Sequence, residues 1–386
     1  MYCRVCDQEM GAPIYEGAPN QSITSLSEFV DYQTRVWLCP KCSHLSSQDL
    51  PNIFEFYKNS YNISMTEADE DQVYSVNDGE IVYRNQHQLK TLLNKVTIDH
   101  GSSILDYGCA KAAMAKSLAA ERSDLAISLF DVSDNYRSHW SFVSDEKRKA
   151  TYELPPDWKE SFDLVTLFFV LEHIENPNKV LTDVHSLLSP GGCLYAIVPY
   201  TLTNIGDLVV VDHVNHFTIN SMRLALTQNG FTSVECDTNV HRGAIVVKAR
   251  RGDRARPELS EPDTEHHRAE ELGAYWYSAN QQLRESPNSD CPAAIYGAGF
   301  YGSYIYSSVS NQGSIRCFVD KSPYLQGRRH LGLPVLAPEA LPEDIRQIYI
   351  GLNPLTPMED QMEIASGLPN RPRPVTFPPL HPARRD

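Results

Sequence analysis

A short apolar run, a turn of small residues and a helical pattern, in that order, constrain the fold of this chain most strongly. Ile104 and Leu105 are followed by residues 106–112, DYGCAKA, after which Met114 and Leu118 repeat at helical spacing. A strand that turns sharply into a helix directs backbone N–H groups toward a bound nucleotide. The segment therefore predicts a nucleotide-binding loop in an α/β fold.

The residues at and after this loop suit a nucleoside ligand. Gly108, Ala110 and Ala112 keep the side chains small where backbone would lie against a ligand. The next apolar run, residues 125–130, ends in Asp131, about twenty residues after the loop, where a carboxylate can accept both hydroxyls of a ribose. The loop alone is weak evidence, and the spacing of Asp131 strengthens it.

A longer succession of elements follows and carries a resemblance to a known family. Residues 162–199, FDLVTLFFVLEHIENPNKVLTDVHSLLSPGGCLYAIVP, predict a buried strand, a turn, an amphipathic helix, a glycine turn and another buried strand. Together with ILDYGCA and the acidic strand end, this succession resembles the class I S-adenosylmethionine (SAM)-dependent methyltransferases. The resemblance implies a Rossmann-like, seven-stranded and mostly parallel sheet. It also implies SAM contacts at Asp106, Gly108, Ala110 and Asp131, with the adenine near Glu153.

Two positions depart from the pattern of that family. Its first loop usually carries three glycines, and Ala110 and Ala112 stand in the second and third places. SAM has no pyrophosphate to seat against the backbone, so an added methyl group is more tolerable than in a dinucleotide site. An active SAM site and a degenerate domain without turnover both stay open.

Glu172 and His173, where a strand meets a loop, either contact ligand or anchor the loop.

A cluster of polar residues after the second of these strands is the predicted catalytic segment. It contains Asp212, His213, Asn215 and His216. A histidine can remove a proton near neutral pH, and a neighbouring carboxylate can orient it. We therefore predict His213 as the general base, Asp212 as its carboxylate and His216 as a second candidate. Adjacent residues of an extended segment point in opposite directions, so a purely anchoring role also stays open.

Two C-x-x-C pairs near the N-terminus, Cys3 with Cys6 and Cys39 with Cys42, predict a metal site. Each pair can place two thiolates on one side of a tight turn, and two such turns complete the tetrahedral shell of a structural Zn²⁺. His44 is an alternative ligand, and a redox or unliganded pair is the alternative interpretation. Four thiolates would leave the metal no open position for catalysis.

The charge and the apolar pattern argue against several classes of function. A formal net charge of −15 repels nucleic acid, and no basic stripe offsets it, so a small-molecule substrate is favoured. The longest apolar run, residues 164–171, is too short to cross a bilayer, and the N-terminus lacks the pattern of a secretion signal. Nine cysteines in uneven groups fit reduced thiols, and cytoplasm is the expected compartment.

The last third of the chain predicts a second α/β domain. A helical pattern follows a charged, proline-bearing linker, and residues 293–296 then precede the G-x-G-x-x-G motif of residues 297–302. Asp320 ends the next predicted strand. We expect a second Rossmann-like domain that is either a scaffold or a site for NAD or a nucleotide-linked sugar. Beyond Gly351 the proline content predicts an irregular tail.

The order of these parts resembles the zinc-containing deoxysugar C-methyltransferases over nearly the whole chain. The expected boundaries are 1–75 for the zinc-binding module and connection, 76–250 for the SAM domain, 251–264 for the linker and 265–386 for the C-terminal domain. The resemblance implies a nucleotide-linked keto sugar as substrate, deprotonated by His213. Asp212 stands where that family has glutamate and Val210 where it has tyrosine, so transfer to a hydroxyl or amine is as open as transfer to carbon.

The leading hypothesis is therefore a SAM-dependent methyltransferase acting on a nucleotide-linked sugar or a related polar small molecule. One alternative is a zinc- and nucleotide-binding protein without turnover, which the two loop alanines motivate. Another is an oxidoreductase that binds NAD at the second glycine-rich loop.

Overall fold

The computed structural model describes residues 1–19, 21–50, 73–77, 80–253, 264–285 and 291–380. The chain divides into two compact units. The first unit consists of Met1–Met10, Cys39–Asn204 and Val214–Asp263, and the second of Gly11–Leu38, Ile205–His213 and Thr264–Asp386. Each unit is described separately below.

The strands of the described residues are numbered in chain order. They are β1 (Tyr15–Glu16), β2 (Ser22–Ile23), β3 (Phe29–Val30), β4 (Arg35–Leu38), β5 (Leu45–Ser47), β6 (Val73–Asn77), β7 (Glu80–Tyr83), β8 (Ser103–Tyr107), β9 (Ala126–Asp131), β10 (Lys149–Thr151), β11 (Phe162–Phe168), β12 (Leu188–Pro199), β13 (Asn215–His216), β14 (Phe231–Asp237), β15 (Ala244–Arg251), β16 (Ala293–Tyr296), β17 (Ile315–Val319), β18 (Arg329–His330), β19 (Leu333–Leu336), β20 (Gln347–Ile350) and β21 (Arg373–Val375).

The α-helices of the described residues are numbered in the same way. They are α1 (Arg84–Lys95), α2 (Ala113–Glu121), α3 (Pro177–Leu187), α4 (Ile219–Gln228), α5 (Thr264–Arg284), α6 (Phe300–Ser308) and α7 (Met358–Gly367). Two short 3-10 helices, Leu171–His173 and Ile205–Val209, follow β11 and β12.

The first unit is built on a seven-stranded sheet in the order β10-β9-β8-β11-β12-β15-β14. The five strands from β10 to β12 run parallel, and β15 runs antiparallel to both of its neighbours. The predicted seven-stranded, mostly parallel sheet is confirmed. Parallel strands are joined by crossovers that cover both faces of a sheet, which explains why β11 and β12 are almost continuously buried.

The carboxyl ends of the parallel strands gather the predicted SAM-binding residues at one edge of this sheet. Tyr107 ends β8 and leads into the 108–112 loop, Asp131 ends β9, and β11 ends just before the 3-10 helix that contains Glu172 and His173. In open α/β sheets, ligands bind at this edge. Beneath it, Leu92, Leu118 and Trp140 are buried in the core that the helices form with the strands.

The second unit contains a six-stranded sheet in the order β18-β19-β17-β16-β20-β21. The strands from β19 to β21 run parallel, and only β18 is antiparallel to its neighbour. In the same unit β1 pairs antiparallel with β4, placing Tyr15 opposite Val36. Helix α5 buries Trp276 completely. The strand and glycine-loop succession predicted at residues 293–302 is present, with β16 leading into α6.

The expected irregular tail is wrong, because residues beyond Gly351 contain α7 and β21. Pro357 precedes α7, and Glu359 and Asp360 occupy its first turn, where acidic side chains favour a helix N-terminus. β21 pairs parallel with β20 although it contains Pro374, and it lies at an edge of the sheet, where proline is tolerated. Proline content therefore did not prevent regular structure.

The two units do not follow the expected domain boundaries. Gly11–Leu38 was expected in the N-terminal module and Ile205–His213 in the SAM domain, yet both belong to the second unit. The cysteine pairs explain the first difference: the sulfur atoms of Cys6 and Cys39 lie 3.5 Å apart, which closes the intervening chain into a long loop with its own packing partners. Most of the expected linker, residues 254–263, lies outside the described residues.

Among the helices of the described ranges, none combines the length and apolar character that a bilayer crossing needs.

Candidate active site and metal centre

The loop after β8 is fixed to the end of the neighbouring strand. The backbone N–H groups of Gly108 and Cys109 both donate to the carbonyl oxygen of Phe130, at 2.8 and 3.0 Å. Gly108 has φ +72°, and a Cβ atom added there would lie 2.7 Å from Cγ2 of Val170. Only glycine fits this position without strain or a clash.

The two alanines of the loop adopt the backbone conformation that glycine usually supplies. Ala110 has φ 45° and Ala112 has φ 54°, both in the left-handed region. A non-glycine residue pays about 1–2 kcal/mol to adopt that region. The loop therefore keeps a glycine-like path at Ala110 and Ala112, and the rest of the site holds it there.

Asp131 is one of the groups that hold the loop. Its Oδ2 atom accepts a hydrogen bond from the Ala110 N–H at 2.8 Å, and its Oδ1 atom accepts one from the Ser133 N–H at 3.0 Å. Burial raises the pKa of this carboxyl group, and the backbone donors partly offset that rise. Each carboxylate oxygen can accept a second hydrogen bond, so these contacts are compatible with ribose hydroxyls as further donors.

Asp106 is a buried carboxyl group at the end of β8. The hydroxyl of Thr166, opposite it on β11, donates to Oδ1 at 3.0 Å. Burial raises the pKa of Asp106 to about 7, against the lowering effect of the Thr166 hydrogen bond. A carboxyl group with this pKa is poised to ionise when a cationic ligand approaches, and the ammonium group of SAM is such a ligand.

The remaining predicted residues of this unit occupy different environments. Glu153 is exposed, two residues beyond β10, and its predicted place beside the adenine stays a prediction. Glu172 is buried, and its carbonyl oxygen accepts a hydrogen bond from the Val214 N–H at 2.8 Å, which supports the anchoring interpretation for its backbone. Nearby, Phe169 has φ 56°. Such strain in a bulky residue is typical of ligand-binding edges.

The second unit pairs His213 with a carboxylate other than the predicted one. The Nδ1 atom of His213 lies 2.5 Å from Oδ1 of Asp207, whose side chain is completely buried. Asp212 instead accepts two hydrogen bonds from Ser25, from its N–H and its hydroxyl, both at 2.7 Å. The expected pairing of Asp212 with His213 is therefore replaced by the pairing of Asp207 with His213.

His216 belongs to the first unit and is fully buried. Its Nε2 atom lies 2.9 Å from the hydroxyl of Ser47, and β13 pairs with β5 at this point. The neighbouring Asn215 donates to the carbonyl oxygens of Leu171 and Ile174, at 2.9 and 2.6 Å. These contacts support a role for His216 in holding the chain, and its catalytic role stays a prediction.

The four predicted metal ligands come together in the first unit. The sulfur atoms of Cys3, Cys6, Cys39 and Cys42 all lie within 4.8 Å of one another. Two sulfur–sulfur distances, Cys3 to Cys42 and Cys6 to Cys39, are 3.6 and 3.5 Å. A tetrahedral Zn²⁺ with Zn–S bonds of about 2.3 Å has sulfur–sulfur distances of about 3.8 Å. The cluster therefore fits a four-thiolate site with little adjustment.

Both cysteine pairs are shaped by the same backbone turn. The Asp7 N–H donates to the Cys3 carbonyl oxygen at 3.0 Å, and the Ser43 N–H donates to the Cys39 carbonyl oxygen at 3.1 Å. Asp7 and Ser43 have φ 55° and 57°. His44 is not a member of this cluster, and its Nε2 atom lies 3.1 Å from Oδ1 of Asn215. The thiols thus form the whole cluster, without His44 as a ligand.

Sequence reasoning missed Thr166 and Asp207, although each had a signal. Thr166 is a polar exception inside the apolar run of β11, and the strand register places it beside Asp106. Asp207 is a lone carboxylate in the apolar stretch IGDLVVV. A buried carboxylate needs a partner, so an acidic residue in an apolar segment can be read as one member of a pair.

Comparison with known proteins agrees with the geometry of the first unit. Residues 81–236, less than half of the chain, match the family model described as a methyltransferase domain. This region is a SAM-dependent methyltransferase domain. The match runs from within β7 to within β14 and so includes the methyltransferase domain's loop at Gly108 and its acidic strand end at Asp131.

Among curated proteins, the methyltransferase domain is similar to two bacterial proteins named ubiquinone biosynthesis O-methyltransferase. The protein of Coxiella burnetii is 27% identical over 116 residues, which are 29% of this chain and 49% of that protein. The protein of Xanthomonas campestris pv. campestris is 29% identical over 116 residues, which are 27% of this chain and 48% of that protein. This chain thus spans about half the length of the curated relatives it matches.

Solved structures similar to the chain include a SAM-dependent methyltransferase from Mesorhizobium loti, at 17% identity and a TM-score of 0.35. That alignment covers 43% of this chain and 98% of the other. A complex of the Haloferax volcanii Trm112 methyltransferase activator with a putative methyltransferase is similar at 16% identity and a TM-score of 0.37, covering 44% of this chain and 91% of the other.

Proposed function

We propose that this protein transfers a methyl group from SAM to a nucleotide-linked sugar or a related polar small molecule, with His213 as the general base. The observation that carries the SAM assignment is the loop of residues 108–112. Its two alanines adopt left-handed conformations, and the carboxylate of Asp131 accepts a hydrogen bond from the Ala110 N–H. We would not expect a loop that no longer binds a ligand to retain this strained backbone conformation.

Asp106 adds a second ground for SAM. Its carboxyl group is buried at the ligand-binding edge of the sheet and has a pKa raised by burial to about 7. Pairing with the ammonium group of SAM would offset the cost of burying the ionised form. The proposed contacts are therefore Asp106 with the methionine part and Asp131 with the ribose.

His213 has the chemistry of a general base. With a carboxylate at Nδ1, Nε2 is the ring atom that would accept a proton in general-base catalysis. As the acceptor atom bonds to the methyl carbon, the carbon–sulfur bond breaks and its electron pair stays on sulfur. The acceptor's proton passes to Nε2, and solvent later removes it. We assign Asp212 and His216 to holding the segment, because both carboxylate oxygens of Asp212 accept hydrogen bonds from Ser25 and Nε2 of His216 contacts the Ser47 hydroxyl.

We propose that the four cysteines bind a structural Zn²⁺. Hydrogen bonds among the thiols, those with Cys3 foremost, lower the pKa of Cys39 and raise that of Cys42. Such thiols share protons until a cation displaces them. Zn²⁺ bound by four thiolates would stabilise this part of the fold without taking part in methyl transfer.

We propose that the second unit's six-stranded sheet is a Rossmann-like scaffold and not an NAD site. Two of the three motif glycines have packing reasons: a Cβ added at Gly302 would lie 1.9 Å from the Gly297 carbonyl oxygen, and one added at Gly297 would lie 2.7 Å from that of Gly351, whereas nothing lies within 4 Å of one added at Gly299. Asp320 accepts hydrogen bonds from the Ala298 and Ser322 N–H groups at 2.9 and 2.8 Å. These contacts account for Gly297, Gly302 and Asp320 without a nucleotide, which favours the scaffold.

The test is a methyl-transfer screen with the purified, zinc-loaded full chain. SAM labelled with ¹³C in its methyl group is incubated with a panel of nucleotide-linked sugars, including keto sugars, and products are analysed by mass spectrometry and NMR. We expect one labelled methyl group per acceptor, and its chemical shift distinguishes attachment to carbon from attachment to oxygen or nitrogen. His213→Gln should bind S-adenosylhomocysteine normally but form product far more slowly.

Three outcomes would count against the proposal in different ways. Binding of S-adenosylhomocysteine without product from any acceptor would favour the protein without turnover. Product formation by His213→Gln at the parent rate would remove His213 as the base. An absorbance change of nicotinamide cofactor with these substrates would favour the oxidoreductase.

A further inference from the structure

The segment that carries His213 also contains the buried carboxylate that contacts Nδ1 of this histidine. Asp207 lies in the 3-10 helix Ile205–Val209, all of whose residues are buried, and its side chain has no solvent exposure. The 2.5 Å contact of its Oδ1 atom with Nδ1 of His213 joins two side chains six positions apart. An ionised carboxylate without such a partner would be costly to bury.

The contact with Asp207 determines which atom of the imidazole ring carries a proton on that side. A carboxylate accepts but does not donate, so Nδ1 of His213 must carry the proton in this contact. A neutral ring with this proton has its lone pair on Nε2, which is the form that can act as a base. After proton transfer the carboxylate stabilises the imidazolium and keeps its own negative charge.

The turn that holds Asp207 is itself fixed by aromatic residues of the same unit. The indole N–H of Trp276, a fully buried residue, donates to the Ile205 carbonyl oxygen at 2.8 Å. A Cβ added at Gly206 would lie 3.0 Å from the hydroxyl oxygen of Tyr301, whose ring stacks near that of Trp276 with an interplanar angle of 8°. The two residues that precede Asp207 are therefore held by side chains of α5 and α6.

We infer that Asp207 is the positioning residue for His213, and that Trp276 and Tyr301 hold the turn from which it acts. The inference rests on the proposed role of His213 as base and adds how that base is oriented. It also gives the C-terminal part of the chain a part in catalysis, because α5 and α6 supply the side chains that hold the turn. Neither aromatic residue needs to touch substrate for this role.

The first test reads the histidine ring directly and needs no acceptor. Full-length protein labelled with ¹⁵N at histidine is studied by long-range ¹⁵N–¹H NMR, with His213→Gln to assign the signal. The parent should show His213 in the tautomer protonated at Nδ1. In Asp207→Asn, loss of the charge-assisted hydrogen bond should raise the ratio of the Nε2-protonated to the Nδ1-protonated form about tenfold or more.

Asp212→Asn is the matched control, because Asp212 is also a buried carboxylate of this segment but bonds to Ser25. It should lower thermal stability and leave the tautomer of His213 as in the parent. Trp276→Phe keeps an aromatic side chain but removes the indole N–H donor, and it should shift the tautomer ratio in the same direction as Asp207→Asn, by less. A parent ring protonated at Nε2, or a ratio unchanged by Asp207→Asn, would overturn the inference even if a variant folds poorly.

Kinetics separate this inference from the proposed function. With an acceptor found in the screen, Asp207→Asn should lower kcat by about 10²- to 10⁴-fold while the affinity for S-adenosylhomocysteine stays unchanged. Normal kcat in Asp207→Asn together with an inactive His213→Gln would reject the positioning role alone. An active His213→Gln would instead reject the base, whatever the tautomer.

Discussion

Replacing Gly108 by alanine should destabilise the methyltransferase domain through two separable effects. The first is the backbone, because φ is +72° and a left-handed alanine costs about 1–2 kcal/mol. The second is overlap, because the new Cβ would lie 2.7 and 3.0 Å from the two γ-carbons of Val170. Overpacking of this kind costs about 1–3 kcal/mol. Gly108→Ala should therefore lower the free energy of unfolding by about 2–5 kcal/mol.

Gly101 supplies the matched control for the backbone effect. Its φ is +76°, and nothing lies within 4 Å of a Cβ added there. Gly101→Ala should therefore cost only the backbone share, about 1–2 kcal/mol. Urea unfolding of both variants, followed by circular dichroism and fluorescence, would measure the difference.

Val170→Ala should relieve the overlap, because alanine lacks the two γ-carbons that the new methyl group would meet. Valine is stiff about its first side-chain torsion, so it cannot turn both γ-carbons away from the new methyl group. In a Val170→Ala background, Gly108→Ala should cost about 1–2 kcal/mol, which leaves a coupling energy of about 1–3 kcal/mol. If Gly108→Ala is no worse than Gly101→Ala, or if Val170→Ala restores nothing, the account of this loop is refuted.

Four further predictions concern the same domain and the cysteine cluster. Ala110→Gly should raise the free energy of unfolding by up to about 1 kcal/mol, since relief of left-handed strain outweighs the freer unfolded chain; a loss of stability in urea unfolding would contradict this. Because the pKa of Asp106 is about 7, affinity for S-adenosylhomocysteine in calorimetry should rise with pH up to about 7 and level off above it, and Asp106→Asn should flatten the profile. The same raised pKa means that Asp106 retains its proton in the folded state, so the contribution of Asp106 to the free energy of unfolding should fall as pH rises from about 4 to 7, which urea unfolding of the parent and Asp106→Asn at several pH values would measure. Chelation should lower the melting temperature and release about one zinc per chain, and Cys42→Ser should mimic it; a metal-free protein with an unchanged melting temperature would reject the zinc site.

The order and type of the main elements were readable from the sequence. Periodicity predicted α1, the strand before Gly108 and the helix after it, because those elements bury one face or both. The spacing of Asp131 after the loop correctly placed it at the end of the next strand. These are local features, and local pattern determines them.

The pairing of side chains was harder to predict from the sequence. Asp212 adjoins His213 in sequence, yet the side chain of His213 pairs with Asp207. Asp207 lies in a 3-10 helix that bends the chain shortly before His213. The direction of a side chain in an irregular segment depends on tertiary contacts such as the Trp276 hydrogen bond. Sequence spacing in a loop therefore identifies candidate partners but does not choose among them.

The tail shows a different kind of error. Its proline content was read as a sign of irregular structure, but Pro357 stands just before α7, where proline does not interrupt the helix. Glu359 and Asp360 then complete an N-terminal pattern that the sequence already contained. Position within the element, and not proline content alone, decided the outcome.

The central claim is that the methyltransferase domain binds SAM at the edge formed by Asp106, Gly108 and Asp131. Isothermal titration of the zinc-loaded chain with S-adenosylhomocysteine tests it most directly, with Asp131→Ala as the site variant. Asp320→Ala is the matched control, since Asp320 makes the same pair of backbone contacts in the other unit. We expect one binding site per chain, with binding lost or at least tenfold weaker in Asp131→Ala and unchanged in Asp320→Ala. Absence of binding to the parent, or equal binding by Asp131→Ala, would contradict it.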